Sequence, residues 1–365
     1  MRGGADGKVT WPSSADVNTK ALMLTPSRGL GGGIERYVET LEWAFDAQGI
    51  EYRRIDLHRA GVASHAQILA QGRDLLRGGT IPTRIVLAHR ALLPVGVLLA
   101  QERCVYGTTV ICHGGDVWSA RHRTRRSLEN RLMRQRRVRV VAVSSFTSGA
   151  LAGGCSATIL PPGLSGDWFH MLVEASTVPQ ERRPGIHILT IFRLADWRNK
   201  GLPELLAAVA ALGRPDIHVT VCGAGDPPAE LRRLVKGYRN CAVRPGLADS
   251  ELARELAAAD IFVLATRTKR GRNASGEGFG LVLLEAQVAG TPVIAPAYGG
   301  SHDAFIDGVT GVAPSNETAE ALAITLSEVL RDPRRIKQMG RRASEWARES
   351  FSPERYTSRA VTRLL

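Results

Sequence analysis

Cysteine is scarce in this chain of 365 residues, and it is scattered. The five, Cys104, Cys112, Cys155, Cys222 and Cys241, are odd in number and form no CxxC pair. That argues against a disulfide framework or a zinc site and fits a reducing compartment. Aromatic residues make up only 5%, which weakens the case for base stacking on nucleic acid. Long apolar runs are missing too: Ala91 to Ala100 is the longest, about half of what a membrane span requires. The first twenty residues are polar and lack the apolar core of a secretory signal. No Asp-x-Asp pair stands ready to hold a divalent metal. Together these absences predict a soluble, cytoplasmic protein.

Arginine, by contrast, is plentiful. Lys plus Arg number 48 against 35 Asp plus Glu, a net charge of +13, and only six of the cations are Lys. Such a charge attracts polyanions: nucleic acid, acidic lipid or phosphorylated substrates. The mixture of 44% apolar and 23% charged residues is that of a globular protein. The length exceeds what one hydrophobic core usually organises, so two domains are expected.

Along the chain, short β-like runs alternate with helical stretches. Ala21–Thr25 leads into a glycine loop and a helix with Ile34, Tyr37, Leu41 and Phe45 on one face. Further runs fall at Tyr52–Asp56, Arg84–His89, Thr109–His113, Val138–Ser144 and Thr158–Leu160. Between Pro161 and Gly185 the pattern lapses into Pro, Gly and Ser, and this reads as a linker. The rhythm restarts at Ile186–Phe192 and continues through Ile217–Cys222, Ala242–Val243, Ile261–Ala265, Pro292–Pro296 and Val312–Ala313. From Glu317 onward the pattern is helical, interrupted at Pro333 and Pro353. Such alternation implies parallel βαβ units. The expected fold class is α/β, with two Rossmann-like domains whose strand ends face each other across a cleft. The expected boundaries are 1–166 for the first domain, 167–185 for the linker, 186–346 for the second domain, and 347–365 for a last helix packing back on the first.

Four segments carry residues suited to chemistry. Glu277-Gly-Phe-Gly-Leu-Val-Leu-Leu-Glu285 places two carboxylates eight positions apart around a glycine turn and an apolar helix. Its glycines let the backbone approach a ligand, and the helix start offers unpaired N–H groups to an anion. The same pattern also reads as a solvated Glu pair at the ends of a core helix. Arg193 follows a strand and Lys200 precedes a Pro-started helix, well placed to clamp a phosphate pair; either also reads as a loop cation. Gly31-Gly32-Gly33 permits a tight strand–helix turn, a weak signal by itself. His113, with Gly114 and Gly115 after it, ends a central strand and faces the cleft, or serves as a structural histidine.

These residues match a known pattern. EGFGLVLLE, followed by AGTPVIA, GG and DGVTG, together with FRL…NKG and GGIERYV, resembles the signature of family 4 retaining glycosyltransferases. The resemblance runs over roughly Leu22 to Ala313. It implies a GT-B (glycogen-phosphorylase-like) fold and a hexosyltransferase that moves a sugar from a nucleotide diphosphate donor, a UDP- or GDP-sugar, with retention. It also implies roles. Arg193 and Lys200 would hold the donor diphosphate, and Glu285 would bind the ribose. Glu277 with Gly278, Phe279 and Gly280 would face the transferred sugar. Gly32 and Gly33 would border the diphosphate from the first domain, and His113 would point at the sugar near its 6-position. Fixed cations and helix dipoles would stabilise the leaving group without metal or other cofactor. Front-face attack, not a carboxylate nucleophile, is the implied route to retention. The chain departs from the pattern at Phe192, where Gly is frequent, at Pro161-Pro-Gly, and in the long basic loop Arg267–Gly276.

Arg121–Arg139 contains nine Arg and one Glu, with Leu128 and Leu132 at helical spacing. It suits peripheral contact with an anionic membrane, where a lipid-linked acceptor would sit, but a run of charge is more usually a solvated helix. Nucleic-acid binding lacks a recognised module. The acceptor classes are a cell-envelope glycan or lipid-linked saccharide and a small natural product. A sugar-nucleotide epimerase or a non-catalytic nucleotide-sugar-binding protein would share the same twin layout.

Overall fold

The computed structural model describes residues 19–365 except 27–31, 60, 119–122, 180–182, 270, 272 and 273, and only the backbone of 123 and 124. The polar head, Gly31, Arg121 and parts of the linker and of the basic loop thus lie outside the described residues.

Two parallel six-stranded sheets form the frame. The first comprises β1 Lys20–Pro26, β2 Tyr52–Leu57, β3 Thr83–Leu87, β4 Val105–Cys112, β5 Val138–Ala142 and β6 Thr158–Ile159, in the order β2-β1-β3-β4-β5-β6. The second comprises β7 Ile186–Ile191, β8 Ile217–Gly223, β9 Cys241–Pro245, β10 Ile261–Val263, β11 Val293–Ile294 and β12 Gly311–Val312, in the order β12-β11-β10-β7-β8-β9. Every strand candidate of the sequence corresponds to one of these. Both faces are covered by crossover helices, which is why strands such as β3 are buried at every residue. Strand order reverses between β1 and β3 and again between β7 and β10, and ligands of open parallel sheets bind beyond the carboxyl ends at such points.

The segment expected to be an irregular linker contains a helix, Gly166–Thr177. Trp168, Phe169, Leu172 and Ala175 recur at helical spacing and are buried, in a core shared with the helices Asp249–Ala258 and Leu281–Val288. Burial of that stripe outweighed the surrounding Pro and Gly punctuation. At the carboxyl end the helix Ala319–Leu330 is followed by Pro333–Ser350 and Pro353–Leu364, each of which restarts at a proline. Proline is tolerated in a first turn because its missing N–H would have had no partner there. Asp332 and Ser352 cap the last two by accepting backbone N–H bonds. The last helix lies on the first sheet: Thr109 Oγ1 donates to the Leu364 carbonyl at 2.7 Å and Tyr106 Oη to that of Leu365 at 3.2 Å.

Candidate active site

The second-sheet wall is built on loops that leave β7 and β10. Gly201 has φ +71°, and a Cβ there would overlap the Ala265 carbonyl oxygen, so the two loops touch backbone to backbone. That contact sets Lys200 beside the β10 loop. Lys200 Nζ donates to Glu277 Oε2 at 2.8 Å, and Thr266 Oγ1 donates to the same oxygen at 2.8 Å. One carboxylate oxygen therefore receives a cationic and a neutral donor. Arg193 stands at the end of β7, half-exposed, its Nε and Nη2 on Asp196 Oδ2 at 3.0 and 2.8 Å.

Three glycines let this wall meet the first sheet. A Cβ on Gly278 would overlap the His113 carbonyl oxygen, and one on Gly300 would overlap the Gly278 carbonyl. Gly114 has φ +107°, and its Cβ would lie 3.1 Å from Gly278 Cα and 2.7 Å from the Trp118 ring. No side chain larger than hydrogen fits these backbone stacks. Nearby, Ser145 donates through its backbone N and Oγ to Asp303 at 2.5 and 2.6 Å, another bond between the halves. Gly280, at φ +83°, precedes the helix Leu281–Val288.

His113 ends β4 as expected, but its ring is already engaged. Nε2 lies 2.8 Å from the Ala88 carbonyl, which assigns it the proton and leaves Nδ1 as an acceptor. Burial lowers the imidazole pKa from 6.5, partly opposed by Asp116, so the ring is neutral. Asp116 Oδ1 accepts the backbone N–H groups of His113 and Gly114, each at 2.9 Å, and holds the turn. Gly32 and Gly33 open the helix Gly33–Ala47, and among the described residues nothing lies within 4 Å of where a Cβ would stand. Crowding by the described residues therefore does not demand glycine there.

Two expected donor residues turn inward. The Phe279 ring is buried against Phe351, so this residue meets a donor only through its main chain. Glu285 is 1% exposed. Its Oε1 accepts a bond from Trp168 Nε1 at 3.1 Å and lies 3.9 Å from Arg36 Nε. Burial raises this carboxyl's pKa, while Arg36 and Trp168 oppose the rise. Arg36, Trp168 and Thr266 went unnoticed in the sequence. Arg36 lies inside GGIERYV and was legible as a cation, whereas Trp168 was hidden in the presumed linker.

The basic stretch proves partly structural. Buried Glu129 takes Arg90 and Arg125, each at 2.8 Å. Arg126 donates to the Val117 and Asp116 carbonyls at 2.5 and 2.6 Å, and Arg134 and Arg139 hold the carbonyls of Gly154 and Arg363. Leu128 and the neighbouring Arg131 and Arg136 remain exposed. Among the described residues no helix is long and apolar enough to cross a membrane, and no three His, Cys, Asp or Glu side chains cluster around a point.

Residues 180–346 match the model of the family described as "Glycosyl transferases group 1". A GDP-mannose-dependent alpha-(1-6)-phosphatidylinositol monomannoside mannosyltransferase of Mycobacterium tuberculosis is 30% identical over 275 residues, covering 70% of this chain and 69% of that protein. The chain belongs to the group 1 glycosyltransferases. The protein of the same name from Mycolicibacterium smegmatis is 32% identical over 226 residues, 58% of each chain. A sucrose-phosphate synthase from Thermosynechococcus elongatus shares the fold, at TM-score 0.76 and 22% identity over 93% of this chain and 97% of that one. The GT-B architecture is thereby established. In this group 1 transferase the family match spans Arg193, Lys200 and Glu277 through Glu285. Gly32, Gly33 and His113 lie outside it.

Proposed function

We propose that this group 1 transferase moves a mannosyl group from GDP-mannose to a hydroxyl of an inositol-containing lipid, with retention at the anomeric carbon and without a divalent cation. The observation that carries the catalytic part is the Lys200–Glu277 pair, set on the loop whose Gly278 abuts His113 across the cleft. A sugar diphosphate bound there meets two cations from the loop that leaves β7, Arg193 and Lys200, a helix start after Gly280, and backbone from both halves. The donor and acceptor come from the names of the two mycobacterial relatives. Membership of family 4 rests on the spacing of Glu277 and Glu285.

The reaction breaks the bond between the anomeric carbon and the diphosphate oxygen and forms one to the acceptor oxygen on the same face. The acceptor's proton passes to the departing phosphate oxygen. Negative charge grows on the diphosphate as the bond lengthens, and Arg193 and Lys200 neutralise it with donors held in place before reaction. In the ligand-free chain Lys200 spends one of its three N–H donors on Glu277, leaving two for phosphate oxygens. Glu277, restrained by Lys200 and Thr266, presents its other oxygen to the sugar. His113 Nδ1 accepts from a sugar hydroxyl, since Nε2 is committed to Ala88. The exposed arginines and Leu128 of the first domain form a face for peripheral contact with anionic lipid.

The test is transfer from GDP-mannose to vesicles containing phosphatidylinositol or its monomannoside, in EDTA, with the product's anomeric configuration read by NMR. An α-mannoside formed in EDTA supports the reading. Transfer restored only by magnesium, a β-linked product, or release of altered sugar without acceptor contradicts it.

A further inference from the structure

Arg36 stands out among the cations that the phosphate chemistry does not use. It lies one turn into the helix that begins at Gly33, on the first domain, yet its acidic partners belong to the second half of the molecule. Its Nη2 donates to Asp249 Oδ1 at 2.7 Å, its Nε is 3.9 Å from Glu285 Oε1, and its guanidinium lies 4.7 Å from the centre of the Trp168 ring. Asp249 opens the helix Asp249–Ala258, and Glu285 lies within Leu281–Val288. Two helices of the second half and the linker helix Gly166–Thr177 thus converge on one side chain of the first.

We infer that Arg36 is a positioning residue that completes the nucleoside end of the donor site across the cleft. The inference rests on the reading of Glu285 as the ribose carboxylate. Glu285 is buried, and a buried carboxylate needs compensation to stay ionised and accept hydroxyl protons. Trp168 supplies one neutral donor from the linker helix, whereas the only cation within 4 Å among the described residues arrives from the first domain. Closure of the halves therefore brings the charge that makes Glu285 a strong acceptor. Binding of the nucleoside and closure become one event, because separating the domains would strip Arg36 from both carboxylates. The guanidinium suits this place: it is planar, lies over the indole of Trp168, donates to Asp249 and still holds its charge 3.9 Å from Glu285.

The experiment titrates GDP into wild type, Arg36→Ala and Arg36→Lys by calorimetry, with transfer kinetics and ligand-free small-angle scattering on the same proteins. Arg36→Ala is expected to weaken GDP and raise the donor KM by about tenfold, one charge-assisted contact, with kcat at saturating donor within about threefold of wild type. Arg36→Lys, which keeps the charge but loses the fork, should fall between, and the ligand-free Ala variant should have the larger radius of gyration. Asp249→Asn combined with Arg36→Ala should cost little more than Arg36→Ala alone. If Arg36→Ala binds GDP as well as or better than wild type, or if kcat falls while KM is unchanged, the inference is wrong. If wild type itself binds neither GDP nor UDP, the donor reading fails and this subsite with it, a failure visible before any variant is compared.

Discussion

The two walls of the cleft are furnished differently. On the second-sheet side, charged groups are held against one another: Lys200 on Glu277, Arg193 on Asp196, Thr266 on Glu277. On the first-sheet side the approach around Gly278 is made by backbone and neutral groups, with His113 kept uncharged by burial and Gly114 stacked on Gly278, while the cation Arg36 reaches the second half at a separate point. Charge is thus stored where a diphosphate would leave, and shape is stored where the other substrate must come close. The contrast explains how a chain with a net charge of +13 keeps its chemistry local. Many arginines elsewhere, such as Arg126 and Arg134, are spent on backbone carbonyls.

The contrast breaks most sharply at Gly278. Gly278→Ala puts a methyl group into the His113 carbonyl and forces the walls apart, so turnover should fall about 100-fold or more, the cost of misplacing reacting groups by about an ångström. Circular dichroism and the unfolding transition should show that both sheets remain folded. Turnover near the wild-type level would show that the walls need not touch. Next comes Lys200→Ala, where kcat at saturating donor should drop at least about tenfold, because a fixed cation no longer meets the leaving group. A change confined to KM would instead make Lys200 a ground-state contact. Glu285→Gln keeps the acceptor for Trp168 but removes the charge, so the donor KM should rise severalfold with kcat little altered.

The smallest effect belongs to the neutral wall. His113 has a lowered pKa in the folded protein, so below the unfolded value of 6.5 the unfolded chain binds more protons than the folded one. Stability from this residue is present above that pH and declines as pH falls through it towards the folded pKa. Denaturant midpoints measured between pH 7.5 and about 5.5 should decline with pH, and His113→Asn should flatten part of that slope. An unchanged slope would remove His113 from the account.

Much of the fold was legible because its signals are local. Twelve short apolar runs announced twelve strands, and the proline restarts announced the terminal helices. The helix Gly166–Thr177 was missed because Pro161-Pro-Gly and Ser165-Gly advertise a break, while its apolar stripe only acquires meaning against the helices Asp249–Ala258 and Leu281–Val288, far away in sequence. In the site, Lys200 and Glu277 could be named from sequence, but their mutual bond could not, since 77 residues separate them. The inward turn of Phe279 and the Arg36–Glu285 approach are likewise products of packing between distant elements.

The most direct test of the central claim is the melting temperature of the protein with GDP-mannose in excess EDTA, compared between wild type and Lys200→Ala. A ligand that binds only the folded state raises the transition by mass action, by about 2.7 kcal/mol of stability at 100 times its Kd. The account predicts a clear rise for wild type without magnesium and a smaller one at equal donor for the variant. No rise, or a rise that appears only when magnesium is added, would contradict it.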